Sequence, residues 1–363
     1  MHRSLRFWLA IGASLLFLGL FFARIDPGET WGKLEEANYL LALPAIAVYF
    51  GAVYFRTLRW QYLLSPMKRM GVARLYPVVV VGYMANNLLP VRLGEVVRAY
   101  YLGERERVSK VSSLATIAVE RVFDGLTLLF LAAVVSLFLP LVGLLQGLAD
   151  RAGVPWVLLA LAMSMPFVLV AAFMVLAAYS PRWFEVLLER LISVLPAPLR
   201  PKVSGLVGMF IGGLAVLQHP RRLLAVFLLS LPVWLAEALM YFILAFSFDL
   251  HNVFDVTELV GVILLVTAVA NLAISIPTAG GGIGAFEVAA AATLSLLGAE
   301  ESTAGAYAIL VHVALLVPVT LLGLLYLWTD RTSLGRLTRE STADTGAAPF
   351  GSAGMPLRVE DKP

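Results

Sequence analysis

Asn86-Asn87-Leu88-Leu89-Pro90-Val91-Arg92-Leu93-Gly94-Glu95-Val96-Val97-Arg98 breaks an apolar run that begins at Leu75. The run reads like a helix entering hydrocarbon. The chain then presents two amides, a proline, a glycine, two arginines and a glutamate. Backbone and charge of that kind are tolerated at membrane depth only when buried in protein or lining a watery cavity. The stretch therefore raises two expectations at once: a membrane-embedded fold, and a polar site inside it.

The remaining sequence supports the first expectation. The 363 residues are 60% hydrophobic and 14% charged, with a mean hydropathy of +0.87. Continuous apolar runs of span length recur, whereas a β-barrel would show short alternating segments. The expected class is all-α: a polytopic helical membrane protein with about eight transmembrane helices and one or two re-entrant or broken segments. There is no cysteine, which excludes disulfides, thiol nucleophiles and cysteine metal sites. A net charge of +3 does not point to nucleic acid, because basic loops in a membrane protein report topology.

Residues 7–23 form the first expected span, an uncleaved helix because no small-x-small site precedes Arg24. An acidic segment leads to a second span over 39–55. The next segment carries Arg56, Arg59, Lys68, Arg69 and Arg74 and reads as a basic loop. Positive-inside then puts it and the N-terminus in the cytoplasm. Residues 75–89 are short for a span, and Arg98, Arg105, Arg107 and Lys110 follow. Basic flanks on both sides of one segment are reconciled if it dips in and returns. Further spans are expected over 114–139, 154–178, 223–248, 259–276 and 304–328. Residues 203–217 read as interfacial or re-entrant, and 283–297 as a short or broken crossing. A membrane-embedded domain thus covers 1–331. The Gly-, Ser-, Ala-, Thr- and Pro-rich tail over 332–363 is expected to be disordered and cytoplasmic. The expected location is the inner (plasma) membrane.

Glu120, Arg121 and Asp124 are the costliest residues in the sequence. An entry near Lys110 puts Glu120 roughly 15 Å deep, where each charge costs roughly 2.5–3.5 kcal/mol on insertion scales. They must face the bundle and pair with each other or with Arg92 or Arg98. Their alternatives are a structural clamp, a polar floor for a headgroup, and a proton-coupled carboxylate. Arg92 and Arg98 could fork onto phosphate, or merely anchor the membrane boundary and pair with Glu95. Gly280-Gly281-Gly282-Ile283-Gly284 precedes a helix bearing Glu287. Exposed backbone N–H groups and the helix dipole favour an anion there, though small residues also serve close helix packing. No Lys follows the glycines, so this is not a nucleotide loop. Glu237 is a lone intramembrane acid, and His312 is the single histidine inside a span, a residue type that more often makes a helix contact than a metal site. Asn87, Pro90, Gly94 and Glu95 in the first half and Asn271, Pro277, Gly284 and Glu287 in the second each follow two spans. Paired interrupted segments of this kind point to a transporter's central site.

In order and spacing, Asn87-Leu88-Leu89-Pro90-Val91-Arg92-Leu93-Gly94-Glu95, Glu120-Arg121-Val122-Phe123-Asp124, and Ile276-Pro277 through Gly284-Ala285-Phe286-Glu287 resemble the lysylphosphatidylglycerol synthetase transmembrane-domain family, also called flippase-like domain proteins. The resemblance runs from the first span to Trp328. In the multiple peptide resistance factors, this module is proposed to move aminoacylated phosphatidylglycerol between leaflets, and a soluble synthetase domain follows it. Here a short tail follows, so lipid aminoacylation is not expected. Thr278-Ala279-Gly280 stands where relatives commonly show a further proline.

The resulting expectation is a lipid translocase, transporter-like rather than enzymatic, whose partners are membrane lipids and not nucleic acid. The candidate substrate-binding set is Asn87, Pro90, Arg92, Gly94, Glu95, Arg98, Glu120, Arg121, Asp124, Pro277, Gly280, Gly281, Gly282, Gly284 and Glu287. No catalytic residue, metal site or cofactor is expected. The alternatives are a membrane-embedded transferase acting on a polyprenyl or phospholipid substrate, and a non-catalytic partner of a lipid-modifying enzyme.

Overall fold

A computed structural model describes residues 5–89, 93–136, 219–275 and 280–330, together with 139, 155–158, 161, 164–165, 168–169, 172, 204, 209 and 278. Pro90, Arg92, Pro277, most of the expected 154–178 and 203–217 segments, and the 332–363 tail lie outside the described residues. The described chain is helical, without a strand, and the protein is a polytopic helical membrane protein.

The helices are α1 (Leu5–Phe22), α2 (Pro27–Glu36), α3 (Ala42–Leu64), α4 (Val72–Leu88), α5 (Gly94–Glu106), α6 (Lys110–Val135), α7 (Pro220–Ala245), α8 (Val256–Ala273), α9 (Ala285–Leu296) and α10 (Glu301–Thr329). Four segments among the described residues, Tyr39–Leu64, Pro220–Phe248, Val256–Ala273 and Glu301–Thr329, are long and apolar enough to cross a membrane. α6 is 26 residues long but carries the Glu120, Arg121 and Asp124 trio. Leu15, Leu16, Leu43, Leu321 and Trp328 lie exposed on the outside of the bundle, where hydrocarbon rather than water suits them.

The acidic segment after α1 is not a simple loop. Asp26 caps α2 by accepting the N–H groups of Gly28 and Glu29, with Pro27 at the first turn, where its missing N–H costs nothing. The chain bends by 84° there, so α2 runs across the end of the bundle. Lys33 of α2 meets Glu300 at 3.1 Å, and Asn38 N–H donates to the Ser247 carbonyl beyond α7. These contacts define one end of the molecule, called here the Glu300 end. At the opposite end Arg105 meets Asp330 at 2.5 Å.

α4 and α5 form a hairpin rooted at the Asp330 end. Lys68 before α4 reaches Glu106 of α5 at 2.8 Å, and Arg74 within α4 lies 3.9 Å from the same carboxylate. Both outer ends of the hairpin therefore lie together, as the two basic flanks imply. From Val72 the tip at Asn87 is about 22 Å along the axis, roughly half the length of α10. The two helices approach through glycine. A Cβ on Gly94 would overlap the Gly82 carbonyl and Asn86, and one on Gly82 would lie 2.9 Å from Arg98 Cβ.

α8 and α9 form a second hairpin, rooted at the Glu300 end. α8 begins just after the turn that follows α7, and α9 runs into Gly298 and Glu300. Twelve residues of α9 span about 18 Å, so this hairpin also has its tip near mid-depth. Gly281 at that tip lies against Asn87 and Leu316. Two hairpins thus enter from opposite ends and meet. Gly284 has φ +93° and packs on Ser14 and Phe17 of α1, with 2.8 Å between a notional Cβ and Phe17 Cβ. A side chain is excluded there both by conformation and by space.

Candidate functional site

The apolar run of the second span does not stop at Phe55. α3 continues to Leu64, and Arg56 and Arg59 lie buried inside it rather than in a basic loop. The helix tolerates them because acids on α6 and α7 stand opposite. Arg59 Nη1 is 2.7 Å from Asp124 Oδ1 and 2.8 Å from Ser230 Oγ, and Nη2 is 3.5 Å from Glu120. Arg56 pairs with Glu237, lies 4.0 Å from Asp124, and donates to Tyr83 Oη at 3.2 Å. Ser230, Trp234 and Glu237 share one face of α7 at i, i+4 and i+7.

The lattice extends through α5 and α6. Arg98 meets Glu120 at 2.7 Å and stacks on Trp60, its Cζ 3.7 Å from the ring centroid. Arg121 lies 3.2 Å from Asp124 and 3.7 Å from Glu95. Arg56, Arg59, Arg98 and Arg121 are therefore matched against Glu95, Glu120, Asp124 and Glu237, four charges of each sign. Such a balanced set is what burial demands, since an isolated ion in a low-dielectric interior costs several kcal/mol. Trp234 Nε1–H donates to Asp124 at 3.2 Å, and its ring lies 4.6 Å from the Arg56 guanidinium carbon.

Between this lattice and the two hairpin tips lies a cavity of about 290 Å³. Arg56, Arg121, Asp124 and Glu237 give one charged side. Asn86, Asn87, Asn271, Gly281 and Gly282 give a neutral polar side, while Leu128, Leu272, Ile274, Leu315 and Leu316 add apolar surface. Asn87 Nδ2–H donates to the Leu316 carbonyl at 3.3 Å and Thr320 Oγ1 at 3.0 Å, which fastens the first tip to α10. Asn271 Nδ2–H donates to Tyr241 Oη at 3.1 Å. The cavity also touches His312. The Nδ1 of that residue lies 2.6 Å from Glu287 Oε1, and Glu287 Oε2 accepts the Gly284 N–H at 2.7 Å.

Of the residues singled out from sequence, Asn87, Glu95, Arg121, Asp124, Gly281 and Gly282 line the cavity. Arg98 and Glu120 do not; they form an ion pair behind the wall. Gly94 and Gly284 serve close packing, and Gly280 lies at the tip beside Asn87 and Ile283. Glu287 acts through the Gly284 N–H and His312. Pro90, Arg92 and Pro277 lie outside the described residues. Sequence reading missed Arg56 and Arg59. Their signal was the continuation of helical apolar spacing through Trp60, Leu63 and Leu64, and the need of Glu237 for a cation. Trp234, which also lines the cavity, carried no charge and so no comparable signal, whereas Asn86 and Asn271 stood out as amides beside the interrupted segments.

The family model "Lysylphosphatidylglycerol synthase TM region" matches residues 7–323. The chain is similar to the glycosyltransferase AglD of Haloferax volcanii, 29% identical over 336 residues, and spans 85% of itself but 52% of that protein. It is also similar to two UPF0104 membrane proteins of Methanothermobacter thermautotrophicus. One is 26% identical over 82% of this chain and 86% of the relative, the other 25% identical over 90% and 94%. No solved structure matches.

Proposed function

The chain belongs to the lysylphosphatidylglycerol synthase TM region family, and from that membership and the cavity we propose that it is a lipid translocase of the inner (plasma) membrane with cytoplasmic termini. One observation carries the reading: an amphiphilic cavity lies where two hairpins rooted at opposite ends bring their tips together. Opposed discontinuous segments meeting at mid-depth suit alternating access, with each hairpin gating one side. The cavity volume of about 290 Å³ lies at the low end of ligand pockets. It accommodates a polar headgroup and leaves the acyl chains in hydrocarbon. Arg121 and Arg56 offer bidentate donors to a phosphate, while Asn86, Asn87 and Asn271 offer neutral hydrogen bonds. Arg121 is the most accessible arginine of the set, its side chain 28% exposed against 6% for Arg56 and 0% for Arg59.

Liposomes carrying fluorescent lipids of several headgroups test this reading. The expected result is headgroup-selective transfer between leaflets that Arg121→Ala abolishes while the thermal melting of the protein is retained. A second reading comes from the likeness to a glycosyltransferase over about half of that relative's length. It has the chain hold a polyprenyl or phospholipid donor for a transferase. Turnover or capture of a lipid donor without transfer of any lipid between leaflets would replace the first reading with the second.

A further inference from the structure

His312 is a titratable side chain of the cavity wall that the charge lattice does not use. Its ring stacks on Phe286, the centroids 4.3 Å apart, and it is 2% exposed. Glu287 Oε2 accepts the Gly284 N–H, and an ionised Glu287 offers only an acceptor at Oε1, 2.6 Å from the histidine Nδ1. Nδ1 must therefore carry the ring proton when the ring is neutral. That leaves a lone pair on Nε2, which has no hydrogen-bond partner among the described residues. An unpartnered buried acceptor is costly to leave. A proton placed on it turns the nitrogen into a charged donor, and an anion in the cavity then satisfies both the N–H and the charge.

On the reading that the cavity takes a lipid headgroup, we propose that His312 takes up a proton when an anionic headgroup enters, so that lipid transport is coupled to proton movement. Hydronium reaching the cavity gives its proton to the Nε2 lone pair. Nδ1–H stays on Glu287, and the new Nε2–H donates to the phosphate or carboxylate of the headgroup. No other bond changes. Departure of the headgroup on the far side removes the counter-charge, and the proton returns to water.

The other groups facing the cavity are Tyr49 and Arg56 from α3, Tyr83 from α4, Glu95 from α5, Arg121 and Asp124 from α6, and Glu237 from α7. The arginines and acids among them are bound to one another. That leaves His312, whose Nε2 has no partner among the described residues, to take up the proton. Proton uptake and anion binding are then linked, and affinity for the anion rises as pH falls.

Calorimetry of short-chain phosphatidylglycerol with the full-length purified protein, in two buffers of different protonation enthalpy, reads proton uptake directly. Uptake of up to one proton per bound lipid is expected, with none in His312→Gln and less in Glu287→Gln. Lipid that binds without proton uptake, or uptake that survives in His312→Gln, overturns the coupling. Binding of no short-chain lipid, anionic or zwitterionic, overturns the headgroup reading itself and the coupling with it. Should His312→Gln not fold, histidine-selective ¹⁵N NMR of the wild type decides. The chain has four histidines, so substituting His2, His219 and His251 isolates the His312 signal. That ring must become imidazolium on lipid addition; a ring that stays neutral contradicts the inference.

Discussion

Arg59 is wholly buried, and its guanidinium serves two carboxylates and a hydroxyl at once. Replacing it by methionine leaves Asp124 and Glu120 short of a cation in the interior. Arg59→Met is expected to cost about 3–5 kcal/mol, read as a lowered melting temperature in detergent; an unchanged melt would remove the lattice as a source of cohesion. Arg59→Lys is not a conservative rescue, because a point ammonium cannot reproduce the fork that reaches Asp124, Ser230 and Glu120 together. Arg121→Gln should affect stability less, since that side chain is partly exposed. The contrast between the two arginines also marks what a sequence reveals. Glu120, Arg121 and Asp124 stand out because their neighbours are uncharged for more than a full turn on either side. Arg56 and Arg59 sit where the apolar run thins into a basic segment, so charge alone assigns them to a loop. Only their three-dimensional partners on α6 and α7 show that the helix continues through them.

At the scale of the element, the α4–α5 hairpin depends on two glycines that face each other's helix. Gly94→Ala puts a methyl into the Gly82 carbonyl and Asn86, and backbone cannot yield as a flexible side chain does. The expected cost is about 1–3 kcal/mol, measured as a lower melting temperature and faster proteolysis within 72–106; wild-type behaviour would mean that the hairpin is looser than its contacts imply. The α2–α10 link behaves differently. Lys33 holds the Glu300 carboxyl below the usual carboxylate range. Its contribution is therefore present above that range and lost only as pH falls through the lowered value. Both side chains are substantially exposed, at 37% and 58%, so solvent screens the pair. Glu300→Gln is expected to leave the melt at neutral pH nearly unchanged. The first hairpin is legible from the two basic flanks of 75–89 alone, because a segment with like-charged ends favours returning to the side it left. The second is legible as a short crossing after a glycine loop. That both tips meet is not legible in the same way, because Asn87 and Gly281 are separated along the chain by most of the fold.

For the whole molecule, the paired interrupted segments gain a physical sense: hairpins rooted at the Asp330 and Glu300 ends face each other across one cavity. The absence of native cysteine makes the arrangement directly testable. In sealed vesicles, an impermeant thiol reagent should label Lys68→Cys, Glu106→Cys and Asp330→Cys from one side, and Lys33→Cys and Glu300→Cys from the other. Labelling of Lys68→Cys and Glu106→Cys from opposite sides would turn the first hairpin into a crossing. The translocation proposed for this fold requires a headgroup to enter the space between the tips. Photo-crosslinking with a phospholipid carrying a diazirine on its headgroup reads that entry. Adducts are expected in the peptides bearing Tyr83, Arg121, Trp234 and Leu316, lost on competition with unlabelled lipid. Adducts confined to the two ends of the bundle, with none on the cavity wall, would contradict headgroup entry.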